Sequence, residues 1–125
     1  MTSRHGGHPV KYLGDGVMCH FPKPTGAVLA ALEMVEEAPA AGLPPARVGL
    51  HAGPVIARDS DYFGRTVNVA ARVAEHAGPH QVVLTEDLRA MVDCGGVMFE
   101  PLGEVALKGI ASPVALFEAV RADEP

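Results

Sequence analysis

Cysteine is scarce: Cys19 and Cys94 are the two in the sequence. They form no CxxC pair, and Cys19 sits in an apolar, strand-like run. That excludes a disulfide framework and leaves buried thiols in a reducing compartment. No apolar run approaches the ~20 residues a membrane-spanning helix needs. The first residues, MTSRHGGHPV, lack the apolar segment of a secretory signal. The expectation is a cytoplasmic chain with no membrane span. Positive charge is also short, ten Lys and Arg against fifteen Asp and Glu. A net charge of −5 argues against nucleic acid as a partner. The histidines suggest no metal site, and there are no internal repeats or low-complexity segments.

What is present suffices for one domain over residues 1–125. A hydrophobic content of 48% and a charged content of 20% are ordinary for a globular protein with a real core. The chain is organised around Gly49–Ala77, GLHAGPVIARDSDYFGRTVNVAARVAEHA. This reads as an apolar strand broken at Gly53, a charged loop, and a helix from about Gly64 to Ala77. At 100° per residue, Asn68 and Arg72 share a face, with Arg65 and Glu75 close by. Val69, Ala70, Val73, Ala74 and Ala77 lie opposite. Such a stripe is either the solvated side of an amphipathic helix or a place for an anion, which a guanidinium holds with two parallel hydrogen bonds.

The rest of the chain alternates hairpins and helices. His8–Phe21 reads as a hairpin turning at Gly14-Asp15-Gly16. There Asp15 is a turn former or a carboxylate displayed to ligate a hard cation through oxygen. Lys11 is a strand lysine of the commonest, exposed kind, unless a ligand comes to it. A core-facing helix follows, with Thr25 as its expected N-cap and Val28, Leu32 and Val35 as its apolar stripe. His51 alternates with apolar neighbours and reads as a satisfied core or edge histidine. Asp61 lies in the loop Arg58–Gly64 that leads into the central helix, as an acid favoured by the helix dipole or as a hydrogen-bond acceptor for a ligand. Gln81–Leu84 is a short buried strand, and Thr85 caps a short helix ending near Met91. Val97–Glu100 and Gly103–Leu107 read as a hairpin, Lys108-Gly109 as a turn, and Val114–Val120 as a last strand. The class is α+β, a mostly antiparallel sheet with helices on one face.

Three segments together resemble the catalytic domain of the class III nucleotidyl cyclases, the adenylate/guanylate cyclase family. They are VKYLGDGVM at Val10–Met18, Gly49 through the run DYFGRTVNVAAR ending at Arg72, and LGEVALKGIASPV at Leu102–Val114. Order and spacing match from about Gly6 to Val120. The resemblance implies a ferredoxin-like fold and attack of the ribose 3′-hydroxyl of ATP on its α-phosphate, giving cyclic AMP and pyrophosphate with two Mg²⁺ or Mn²⁺ ions. It implies that Asp15 binds metal, that Lys11 and Asp61 read adenine, and that Asn68 orients the ribose. Arg72 would stabilise charge on the α-phosphate, and Lys108 would contact the triphosphate. It also implies a head-to-tail homodimer. The family carries a further metal aspartate on a strand well before this hairpin. Asp15 is the first acidic residue of this sequence, so the expectation is a domain cut short at its N-terminus, lacking that first strand, with impaired turnover. The competing reading is a non-catalytic nucleotide-binding or regulatory domain derived from a cyclase. A third is a metabolic α+β domain whose polar stripe is only solvated.

Overall fold

A computed structural model describes residues 7–13, 16–54, 56–58, 61–92 and 95–122. Strands β1 (His8–Leu13) and β2 (Gly16–His20) form the expected antiparallel hairpin. Helix α1 spans Pro24–Glu37. The cap position is held not by Thr25 but by Lys23, in extended backbone, with Pro24 in the first turn. Proline fits there because its fixed φ is already helical and its missing N–H would have had no partner.

Four strands make the central sheet, in the order β3 (Arg47–Leu50), β6 (Gln81–Thr85), β8 (Val114–Arg121), β7 (Val97–Val105). Strands β3 and β6 run parallel, and the other two pairings are antiparallel. Between β3 and β6 come a small antiparallel pair, β4 (Ile56–Arg58) with β5 (Asp61–Phe63), and helix α2 (Arg65–His76). The short helix α3 covers Glu86–Arg89. Among the described residues no helix is long and apolar enough to cross a membrane.

Two segments differ from the sequence reading. Residues 56–58 and 61–63 pair with each other, Ile56 with Phe63 and Arg58 with Asp61, where a loop was expected from Arg58 onward; the aromatic and branched residues there favour a pleated pairing. Residues 97–105 form one strand rather than a hairpin. Its register against β8 shifts between Pro101 and Gly103, where a bulge takes up the extra residue. Strand β7 is at the sheet edge, so Pro101 interrupts no second ladder.

The α+β class is as expected, but the helices cover both faces of the sheet. The cause is β6, a continuous apolar run with Val82, Val83 and Leu84 all within 1% exposure. A strand buried on both sides needs partners on both sides. Val82 and Leu84 pack with Val28, Ala31, Leu32 and Val35 of α1 and with Leu88 of α3. Val83, pointing the other way, packs with Val69 and Val73 of α2 and with Leu107 and Leu116. Gly49 on β3 sits under α2 with no room to spare: a Cβ there would collide with the backbone nitrogen of Ala74.

Candidate active site

Helix α2 shows its polar stripe because its apolar residues are used up below it. Val69 and Val73 are buried, Asn68 is exposed and Arg72 is half-buried. Gly64 caps the helix with φ 119° and ψ −179°, a backbone that an L side chain rarely adopts, and gives no side-chain cap. The next turn is pinned by Thr66, whose hydroxyl donates to the Pro54 carbonyl at 2.7 Å. This fixes the start of α2 to the loop that leaves β3.

The turn after β7 comes back over α2. Leu107 is buried among Val69, Val73 and Ala77, with Ile110 packed beside them. That anchoring leaves Lys108 and Gly109 at the rim. Between this turn and the outward face of α2 lies an open concavity of about 660 Å³, bordered by Gly64, Arg65, Asn68, Arg72, Lys108 and Gly109. Three of the residues expected from sequence, Asn68, Arg72 and Lys108, therefore share one hollow. No carboxylate lines it among the described residues. In a chain of net charge −5, a hollow with three cations and one amide has the chemistry to receive an anion.

The Arg72 guanidinium is held by Glu75, one turn on: its Nη1 donates to the two carboxylate oxygens at 3.0 and 3.3 Å. The pair is exposed enough for water and salt to weaken it. Arg65 and Lys108 have no carboxylate contact among the described residues.

The remaining expected residues sit on neighbouring elements. Asp61 is the first residue of β5, which contacts α2, and Lys11 is on β1, which contacts β5. The strand of Lys11 thus neighbours that of Asp61, which in turn neighbours α2. The side chains of Lys11 and Asp61 lie outside the described residues, as does Asp15. No three His, Cys, Asp or Glu side chains gather as a metal site among the described residues. His76 and His80 are four apart, but α2 ends at His76 and His80 turns to positive φ, so they share no helical face.

His51 is the satisfied histidine expected, and its partner is informative. Its Nδ1 lies 2.6 Å from the hydroxyl of Thr85, itself buried at the end of β6. Thr85 occupies the cap position of α3 without capping it, since its side chain is turned to His51. Burial lowers the His51 pKa from its ordinary 6.5, Asp87 opposes that shift, and Arg65 adds to it. The residue that sequence reasoning left without a role is Arg65. The signal was there, since it precedes Arg72 by seven positions and so lies on the same line of the helix.

Residues 1–118 match the family of the adenylate and guanylate cyclase catalytic domain. An uncharacterized protein of Mycobacterium tuberculosis is 40% identical over 115 residues, covering 90% of this chain and 30% of its own. A pH-sensitive adenylate cyclase of Mycobacterium tuberculosis is 32% identical over 117 residues, again 90% of this chain and 30% of the relative. The chain thus spans about 30% of the length of these relatives. Among solved structures, an adenylate/guanylate cyclase/hydrolase from Silicibacter pomeroyi is similar with a TM-score of 0.80 at 27% identity, covering 97% of this chain and 76% of that one.

Proposed function

The chain belongs to the adenylate and guanylate cyclase catalytic-domain family, and from that premise we propose that it is the catalytic domain of an adenylate cyclase. The observation that carries this reading is the cationic hollow on α2, where Asn68, Arg72 and Lys108 meet beside the strands of Asp61 and Lys11. Lys11 donates to an adenine ring nitrogen and Asp61 accepts from its exocyclic amine. Guanine reverses this pattern, so the pair selects ATP over GTP. Asn68 hydrogen-bonds the ribose and fixes the 3′-hydroxyl in line with the α-phosphorus. A bond forms from the 3′-oxygen to that phosphorus while the bond to the β-bridging oxygen breaks. The hydroxyl proton passes to solvent water, and pyrophosphate leaves. Arg72 exchanges Glu75 for the α-phosphate oxygens, whose charge grows in the transition state. Lys108 holds the leaving phosphates. Class III cyclases are divalent-metal dependent; the ion, which neutralises phosphate charge, would be reached by Asp15. The active form is a head-to-tail homodimer in which the partner subunit completes each site.

Titration of the chain with ATP and with GTP, with Mn²⁺ present, tests this reading, together with an assay for cyclic AMP. ATP is expected to bind at least about tenfold more tightly, a difference of ~1.4 kcal/mol that one misplaced hydrogen-bond pair readily supplies. Arg72→Ala is expected to lower cyclic AMP formation by about 10²–10³. Equal affinity for the two nucleotides, or a preference for GTP, overturns the assignment. Metal-dependent ATP binding without product points to a cyclase domain with impaired turnover, and no nucleotide binding favours the regulatory, non-catalytic reading.

A further inference from the structure

The hollow on α2 holds one cation more than the reaction as proposed above uses. Arg65 lines it together with Arg72 and Lys108. On a helix, seven residues bring the side chain back to within about 20° of its starting direction and advance it by roughly 10 Å. Arg65 and Arg72 therefore bracket Asn68 along a single line of α2. Their circumstances differ in one respect. Arg72 is held by Glu75 at 3.0 Å. Arg65 is exposed and meets no carboxylate among the described residues. The backbone on either side of it is fixed: Gly64 caps the helix ahead of it, and Thr66 behind it is tied to Pro54. On a rigid turn no backbone need be ordered when the arginine meets a ligand, and its planar fork matches two oxygens of a phosphate chain.

We propose that Arg65 is a substrate-contact residue of this site, one that grips the polyphosphate of the nucleotide together with Lys108. The identity of the ligand as a nucleotide rests on the adenylate cyclase reading; the preference for a chain of phosphates rests on the three cations. A single phosphate would occupy one of the guanidinium groups. A triphosphate is long enough, and charged enough, to engage several positions around the hollow. Arg65 thereby favours ATP over its shorter relatives, and it adds a contact that the leaving pyrophosphate must break before the next turnover.

Calorimetric titration of the 125-residue chain with inorganic tripolyphosphate, ATP and adenosine tests this directly. Arg65→Gln is compared with Arg65→Lys and with Arg47→Gln. Arg47 is an exposed arginine on β3 outside the hollow, and its loss changes the net charge equally. Arg65→Gln is expected to weaken tripolyphosphate and ATP by roughly tenfold, the scale of one charge-assisted hydrogen-bond pair, and to leave adenosine unchanged. Arg65→Lys should recover part of that loss, and Arg47→Gln should lose less than about twofold. The proposal is overturned if Arg65→Gln behaves like Arg47→Gln, if adenosine loses as much as ATP, or if the unaltered chain binds no tripolyphosphate. Failure of the adenylate reading shows separately, as equal binding of ATP and GTP, and leaves the tripolyphosphate comparison decisive for Arg65.

Discussion

Helix α1 buries six of its fourteen residues, Ala27, Val28, Ala30, Ala31, Leu32 and Val35, against one face of the sheet. Helix α2, with twelve residues, buries two, Val69 and Val73, against the other. The same four strands support both. Helix α1 spends its inward side chains on filling volume and shows no chemistry. Helix α2 makes do with small contacts, approaching so closely that Gly49 and Ala74 meet backbone to backbone. Its outward face is then free to carry Arg65, Asn68 and Arg72. A single strand, β6, separates the two regimes through the alternation of Val82, Val83 and Leu84. One side of the sheet is devoted to stability, the other to holding a polar array at fixed height.

Substitutions on the two faces should therefore separate folding from binding. The largest effect is expected at Leu84, fully buried on the α1 side. Leu84→Ala should cost about 2–5 kcal/mol in urea unfolding and leave nucleotide affinity unchanged wherever the chain remains folded. A shift in affinity there would break the division. Gly49→Ala, on the α2 side, should cost about 1–3 kcal/mol through overpacking. Unlike Leu84→Ala, it should also weaken ATP binding, because α2 must move to admit the methyl group. A smaller effect is expected at His51. Its native pKa is lowered, so the unfolded chain takes up the proton first. The stability it contributes is present above about pH 6.5 and is lost as pH falls below that value toward the native pKa. Urea midpoints measured across this window should fall less steeply for His51→Gln than for the parent. Least should follow from breaking the exposed pair of Arg121 with Glu36, 2.8 Å apart, at the solvent end of α1. Glu36→Gln should change stability by no more than about 1 kcal/mol and leave binding untouched.

The contrast between the helices was legible in the sequence, because 3.6-residue spacing sorts apolar from polar positions without knowledge of the fold. The arrival of Lys108 beside Arg72 was not legible from any local pattern. It depends on Leu107 and Ile110 finding Val69 and Val73 on the same face of the sheet, and only the likeness of the motif pointed to it. Coverage of both faces was misjudged for a related reason. A run such as Gln81–Leu84 announces burial, but two-sided burial is a property of what packs against it. Thr25 and Thr85 show the limit of reading caps by residue type. At the first helix a proline one residue earlier sets the start, and at the short helix the hydroxyl is committed to His51. Residues 97–105 look like two strands because Pro101 and Gly103 are turn residues in most settings; here a bulge absorbs them.

Helix α2 is also the connection between β3 and β6, the one parallel pairing among the described strands. Those strands cannot stay in register while the segment joining them is frayed, and α2 cannot detach without exposing Val83 at the centre of the sheet. The polar array of α2 is thereby built into the cooperative unit rather than carried on an appendage that opens by itself. Amide protons of α2 should exchange with solvent as slowly as those of β6, by whole-molecule opening alone.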